Sequence, residues 1–292
     1  MVTKGMQTMV TDAARLRPIT RSGPWRGLIG STGAEARRWL PWRSLFLIGA
    51  GLLVLAAVFA IWWFAGTQSV ANLRLGGLMF PFFGMWAIVL TLATAAAAQG
   101  AVAGEVDDGT ASWLVGMPIG RSAFIVSKVL GAIPGVLVTV FGTGLIAYTV
   151  LAYASSIRIV DFTVRDITDV AGPRLGSIAF TELPASAEYL GMLMRISLFL
   201  LVLVALMVLL GAIFRSEAIV LGLGVIIAVG LFLVGFIGIA GAVDVTPAGL
   251  ISGLLDAVQA EPAPLAGPAL VSLLWVTALT GLAVVRFQWR EL

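Results

Sequence analysis

The chain has 292 residues, 60% of them hydrophobic and only 11% charged, with a mean hydropathy of +1.04. Water-soluble domains carry about 25% charged residues, so a soluble fold of this length is excluded and the composition predicts an all-α integral membrane protein. The absence of Cys and His excludes disulfides and thiol chemistry, and removes the commonest general base and metal ligand.

The net charge of +3 is concentrated at the start. Eight bases (Lys4, Arg15, Arg17, Arg21, Arg26, Arg37, Arg38, Arg43) precede the first apolar run, against two acids, Asp12 and Glu35. This pattern predicts a cytoplasmic segment beside an anionic leaflet, with lipids and not nucleic acid as the partner. Residues 1–43 read as a polar tail followed by a short amphipathic helix over 28–40. That helix sets Ala34, Trp39 and Leu40 against Glu35, Arg37 and Arg38. The expectation is that it lies in the inner interface, with Trp39 and Trp42 at headgroup depth and the arginines snorkelling. Pro41 is expected to break it.

A span needs about 20 mainly apolar residues. Residues 44–292 offer six: 44–65, 75–103, 123–152, 189–214, 219–240 and 266–285. The first ends in an aromatic belt of Trp62, Trp63 and Phe64, and the third contains Pro134. Glycines recur along the third and fifth, among them Gly131, Gly135, Gly142, Gly144, Gly222, Gly224 and Gly235. Small residues let helices approach closely in lipid. The segment 155–187 is polar, with a β-like alternation over 157–167, and predicts an outer cap. The segment 241–265 is too short to span and too apolar for water, with Pro247, Pro262 and Pro264 as breakers. It predicts a re-entrant or interfacial pair before the last span.

With the N-terminus inside, thirteen bases fall on inner segments, including Arg121, Lys128, Arg215, Arg286 and Arg290. Four fall outside: Arg74, Arg158, Arg165 and Arg174. The positive-inside rule then places both termini in the cytoplasm of a plasma-membrane protein, and the segment 104–121 with them.

That segment opens the stretch GEVDDGTASWLVGMPIGRSAFIVSK at 104–128. Asp108 can cap a helix that begins Gly109-Thr110-Ala111, and Asp107 and Asp108 suit the positive end of its dipole. Trp113, Leu114 and Met117 share a face. An apolar knob with an aromatic centre, ringed by charge, suits docking into a protein groove. Pro118 ends the helix and Ser122 can cap the next. The order of acid, Gly-Thr step, short amphipathic segment, Pro and base resembles the first cytoplasmic loop of ABC-2 type transporter permeases. The resemblance covers about 25 residues closely and the rest by layout; it departs in the Asp-Asp pair before Gly109 and in Gly120, where a hydroxyl residue is frequent. It implies a coupling helix docked on a separate ATPase subunit, with Glu105, Asp108, Gly109, Thr110, Trp113, Leu114, Met117, Pro118 and Arg121 as the coupling residues. It further implies a second permease copy, with ATP and Mg held by the ATPase and no cofactor on this chain.

Three further features need placing. Glu105, at the inner end of the second span, has Arg121, Lys128 or Arg37 as candidate partners and would latch that span to the interfacial helix. Arg195 lies within the fourth span, where a charge usually faces a partner or an aqueous path; it either lines a substrate path, with Glu188 and Glu182 as candidate partners, or snorkels outward. Met79, Met85, Met192, Met194 and Met207 read as apolar packing and not a copper site, since thioethers stand without Cys or His. The two lysines, Lys4 and Lys128, do not follow Gly, so the chain lacks a phosphate-binding loop and is not itself an ATPase. The reading is therefore a transport subunit without enzymatic activity of its own. The alternatives are a non-transporting membrane anchor or sensor, or an ion-coupled carrier.

Overall fold

The computed structural model describes residues 25–66, 75–107, 119–161, 186–239, 241–258 and 264–289, and every regular element among them is helical. In chain order these are α1 (Leu28–Arg38), a π-helical turn (Trp39–Arg43), α2 (Ser44–Gly66), α3 (Leu75–Ala98) and α4 (Ala103–Asp107). Next come α5 (Arg121–Asp161), α6 (Ser186–Ile213), α7 (Glu217–Ile237), α8 (Ala242–Val245), α9 (Ala248–Val258) and α10 (Ala266–Gln288). Five segments are long and apolar enough to cross a bilayer: Gly84–Val106, Arg121–Val150, Tyr189–Ile213, Glu217–Ile237 and Ala266–Gln288. This is a multi-pass helical membrane protein. The expected first span forms the 23-residue helix α2, in which Ser44–Ala57 is a shorter apolar segment among the described residues.

Helix α6 is the hub. It packs on α3, α5, α7, α9 and α10, and 78% of its span is buried, against 22% for α7 and 17% for α10. Its sequence is apolar all round, as a helix enclosed on every side requires. Leu193 seats on Gly144 of α5, and the Tyr189 hydroxyl donates to the Gly144 carbonyl at 2.5 Å. Outward faces of α7 and α10 present Ile226, Leu233, Leu274 and Leu282, the surface expected where lipid is the solvent.

Several elements depart from the sequence expectations. The run 75–103 is not one helix: α3 stops at Ala98, a turn follows and α4 begins at Ala103. Gly100 in the turn and Gly104 in α4 leave room for the Glu217 carboxylate; a Cβ on Gly100 would stand 2.7 Å from Glu217 Oε1. Helix α5 has 41 residues, a length of about 61 Å at 1.5 Å per residue. It carries residues 157–161, the start of the expected β-like alternation, as helix; the remainder of that alternation lies outside the described residues.

The expected amphipathic helix is present as α1, but with a different side turned inward. Glu35 and Trp39 are 3% and 1% exposed, whereas Ile29 is 90% exposed and Ala34 also faces out. Trp39 is therefore packed in protein. Its Cβ lies 2.7 Å from where a Cβ on Gly135 would be, and Glu35 sits over Gly131 in the same way at 2.6 Å. Two glycines four residues apart on α5 thus receive Glu35 of α1 and Trp39, the first residue of the π-helical turn. Pro41 does not end the helix either. The π-helical turn absorbs it, since such local rewinding satisfies backbone groups that a proline frees.

The segment 241–265 contains the short helices α8 and α9. Ala248, Leu250, Ile251 and Leu254 of α9 are each at most 1% exposed. Close contact is possible because Gly235 of α7 leaves room for Ile251 and the Ala248 carbonyl.

Candidate functional site

The 104–128 stretch is held at two places, one by α1 and the other by the residues that lead into α1. At its start, Glu105 of α4 accepts from Lys128 Nζ at 2.6 Å and from Arg38 of α1. Near its end, the Gly120 N–H donates to the Arg26 carbonyl at 3.0 Å, and Ile119 packs over Gly27. Gly27 has φ +77°, a left-handed conformation that glycine adopts without steric penalty. A Cβ there would also stand 2.9 Å from Ile119 Cγ1.

The centre of the mount is ionic. Lys128 is 4% exposed, and its ammonium bridges Glu105 and Glu35, the latter at 2.8 Å. Glu35 also receives Arg43 at 3.3 Å and Arg38 at 3.7 Å. Two carboxylates and three cations thus join α1, the π-helical turn, α4 and α5. The hydrogen bond to Glu105 holds the Arg38 guanidinium above its ordinary pKa, whereas burial pulls Arg43 down; neither effect takes an arginine out of its charged form. Arg43 additionally stacks over the Trp39 ring at 5.2 Å from its centroid, and Lys128 over Phe124 at 5.0 Å.

Arg121 opens α5 and donates to the Gln288 carbonyl at 3.1 Å; Gln288 in turn donates to Ser122 Oγ at 2.9 Å. The Phe124 and Phe287 rings stand 5.5 Å apart. Arg121 therefore ties the stretch to the end of α10 and does not pair with Glu105. Ser122 lies inside the first turn of α5 and is not its cap; the Gly120 carbonyl accepts the first helical N–H, from Phe124 at 2.9 Å.

Of the expected coupling residues, the structure describes Glu105 and Arg121. Asp108, Gly109, Thr110, Trp113, Leu114, Met117 and Pro118 lie outside the described residues. Of the partners expected for Glu105, Lys128 is present. Arg37 instead donates to the Gly33 carbonyl at 3.3 Å, and Arg38 takes the place expected for it. Glu35 is the member that sequence reasoning placed on the wrong face. The usable signal was the matched spacing of Glu35 and Trp39 with Gly131 and Gly135.

Arg195 is remote from this cluster. It is 2% exposed, and its guanidinium lies against Gly253 of α9, where a Cβ would come within 2.8 Å of Cζ. It is enclosed by protein and does not snorkel. Its candidate partners Glu182 and Glu188 lie among residues whose side chains are outside the description. Met192 and Met207 are core residues, each 1% exposed, with Met207 packed on Gly224.

Compared with protein-family models and with the curated proteins, the chain matches none.

Proposed function

We propose that this chain is the permease subunit of an ATP-driven exporter of the ABC-2 type. On this reading it crosses the membrane six times with both termini in the cytoplasm, pairs with a second permease, and couples through residues 108–118 to a separate ATPase subunit. The observation that carries the reading is the double mount. A segment that transmits force from a docked partner needs rigid attachment at both ends; residue 105 is fastened to Arg38 of α1, and residues 119–120 to Arg26 and Gly27 just ahead of α1. A free loop would absorb the movement.

The distribution of charge supports the orientation. The ends of α1, α4, α5, α7 and α10 that touch one another gather Arg26, Arg38, Arg43, Arg121 and Lys128 with Glu35, Glu105 and Glu217 at one end of the bundle. A cluster in which cations outnumber carboxylates belongs on the cytoplasmic side. Arg195 and α9, buried near the start of α6, are at the opposite end and form part of the outer closure of the path.

Affinity purification of the chain from its native membrane tests this reading. It should bring down a nucleotide-hydrolysing subunit, and the chain stripped of that subunit should not hydrolyse ATP. Hydrolysis by the stripped chain, or purification from native membrane with no ATPase attached, would refute the reading.

A further inference from the structure

Three arginines of α1 and the π-helical turn fold back in one direction. Arg37 Nε donates to the Gly33 carbonyl at 3.3 Å, Arg38 reaches Glu35 at 3.7 Å, and Arg43 reaches the same carboxylate at 3.3 Å. Each side chain runs toward the N-terminus of α1, the direction that helical side chains favour. That N-terminus lies beside the start of α5, since Gly27 meets Ile119 while Trp39 meets Gly135. There α5 also meets the end of α10: Arg121 donates to the Gln288 carbonyl, and Trp289 is 79% exposed. A base and an exposed tryptophan at the ends of two apolar spans mark a membrane surface. Lys128 stands about 10 Å along α5 from Arg121, at 1.5 Å per residue, on the membrane side of that surface. The three arginines thus reach from within the membrane toward its edge, as snorkelling side chains do.

The charges there do not balance. Arg37, Arg38, Arg43 and Lys128 are four cations against two carboxylates, Glu35 and Glu105, among the described residues. The surplus lies on the outer side: Arg37 is exposed and pairs with no carboxylate among the described residues, and the Arg38 side chain is 59% exposed. Their hydrogen bonds use Arg37 Nε and Arg38 Nη1, which leaves N–H groups on both guanidiniums, each with five donors. Exposed guanidinium at the edge of a bilayer meets phosphate, which it binds through paired hydrogen bonds. The surroundings suit a lipid. Gly30 and Gly33 leave the face beside Arg37 open, a Cβ on either meeting nothing within 4 Å. Further into the membrane, Leu40, Leu45 and Phe46 are exposed. We infer that Arg37 and Arg38 bind the phosphate of one anionic phospholipid, from the leaflet at this end of the bundle, with its acyl chains along Leu40, Leu45 and Phe46. This is a discrete bound lipid, distinct from the diffuse attraction of a basic segment to a charged leaflet.

Native mass spectrometry of the full chain released from detergent, titrated with phosphatidylglycerol, tests the site. One phosphatidylglycerol should be retained per chain, and phosphatidylcholine should bind at least about ten-fold more weakly. Arg37→Gln, which breaks no ion pair among the described residues, should weaken phosphatidylglycerol binding about ten-fold, the size of one charge-assisted hydrogen bond. Arg37→Gln/Arg38→Gln should weaken it further. Arg15→Gln/Arg17→Gln removes as much charge as that double variant from the segment ahead of α1, and should leave binding unchanged. Inorganic phosphate in excess should not displace the lipid, because it lacks the acyl chains. Equal retention of the two lipids, unaltered binding in Arg37→Gln, an equal loss in Arg15→Gln/Arg17→Gln, or displacement by inorganic phosphate would overturn the site. So would a chain that retains no phosphatidylglycerol, as a monomer or as a dimer closed over this face. The assay needs no ATPase, so its outcome is independent of the coupling reading.

Discussion

Replacing Glu35 with Leu removes one of the two carboxylates on the Lys128 ammonium, which is 4% exposed. Removing one partner of a buried pair destabilises by about 3–5 kcal/mol, because the remaining charge is left in a medium that solvates it poorly. Lys128 keeps Glu105 at 2.6 Å, so the expected loss is at the lower end, about 3 kcal/mol. That is roughly a hundred-fold shift in the folding equilibrium, by the rule that 1.4 kcal/mol is tenfold. Lys128→Met should be destabilising as well, since it strips Glu35 of its shortest contact and leaves Arg43 and Arg38 at 3.3 and 3.7 Å. The double variant Glu35→Leu/Lys128→Met should be more stable than either single variant. It leaves unpaired no charge as buried as Lys128 or Glu35, since Arg43, which loses its carboxylate, is 26% exposed and keeps its contact with the Trp39 ring; it fills the site with apolar groups of similar size, and the Arg38–Glu105 pair survives. A double-mutant cycle on thermal or denaturant unfolding in detergent should show coupling of about 1–3 kcal/mol. Additive single effects, or a Glu35→Leu protein as stable as wild type, would refute the argument that this cluster is a buried and coupled unit.

The glycine contacts give a second expectation. Gly131→Ala should destabilise by about 1–3 kcal/mol through overpacking against Glu35, whereas Gly142→Ala, whose Cβ would meet only Ile48 Cδ1 at 4.0 Å, should be neutral or stabilising by up to about 1 kcal/mol from helix propensity; unfolding midpoints compare the two directly. Gly253→Ala should also destabilise, since a methyl there would displace the Arg195 guanidinium, and the same unfolding assay with Gly230→Ala as control, where a Cβ meets open space, decides it. For orientation, a Cys at Ser177 should react with an impermeant thiol reagent in intact cells and one at Ser112 should not. The reverse pattern would contradict both the orientation and the coupling role.

Hydrophobic run length was the legible part of the fold. Predicted spans 189–214, 219–240 and 266–285 fall within a few residues of α6, α7 and α10, because run length is a local property. Local information failed where a tertiary contact decided the outcome. Where the 75–103 run breaks after Ala98, Glu217, more than a hundred residues later, occupies the space beside Gly100 and Gly104. In α1 the charge pattern suggested that Glu35 faces water. It is instead buried, since Lys128 and Gly131 on α5 provide the counter-charge and the room. Pro41 was legible as an irregularity but not as a π-helical turn, because continuing the helix depends on packing along α5. In the site, Lys128 was legible as one of three candidate partners for Glu105, from charge and proximity to the membrane end. The choice of Arg38 over Arg37 was not, because adjacent helix positions point about 100° apart and the facing side is set by how α1 lies on its neighbour.

The central claim is that residues 111–117 dock on an ATPase, with Trp113 as the largest apolar group in the contact. An interface residue of that kind often contributes about 2 kcal/mol or more when cut to Ala, which corresponds to a roughly thirty-fold loss of affinity at tenfold per 1.4 kcal/mol. The measurement is ATPase copurification with Trp113→Ala at matched membrane expression. Trp275→Ala is the control; its indole N–H donates to the Val245 carbonyl at 2.9 Å, linking α10 to α8 at the opposite end of the bundle. The account predicts that Trp113→Ala loses most of its ATPase while Trp275→Ala retains it. An ATPase retained by Trp113→Ala at the wild-type level would contradict the coupling role of this segment.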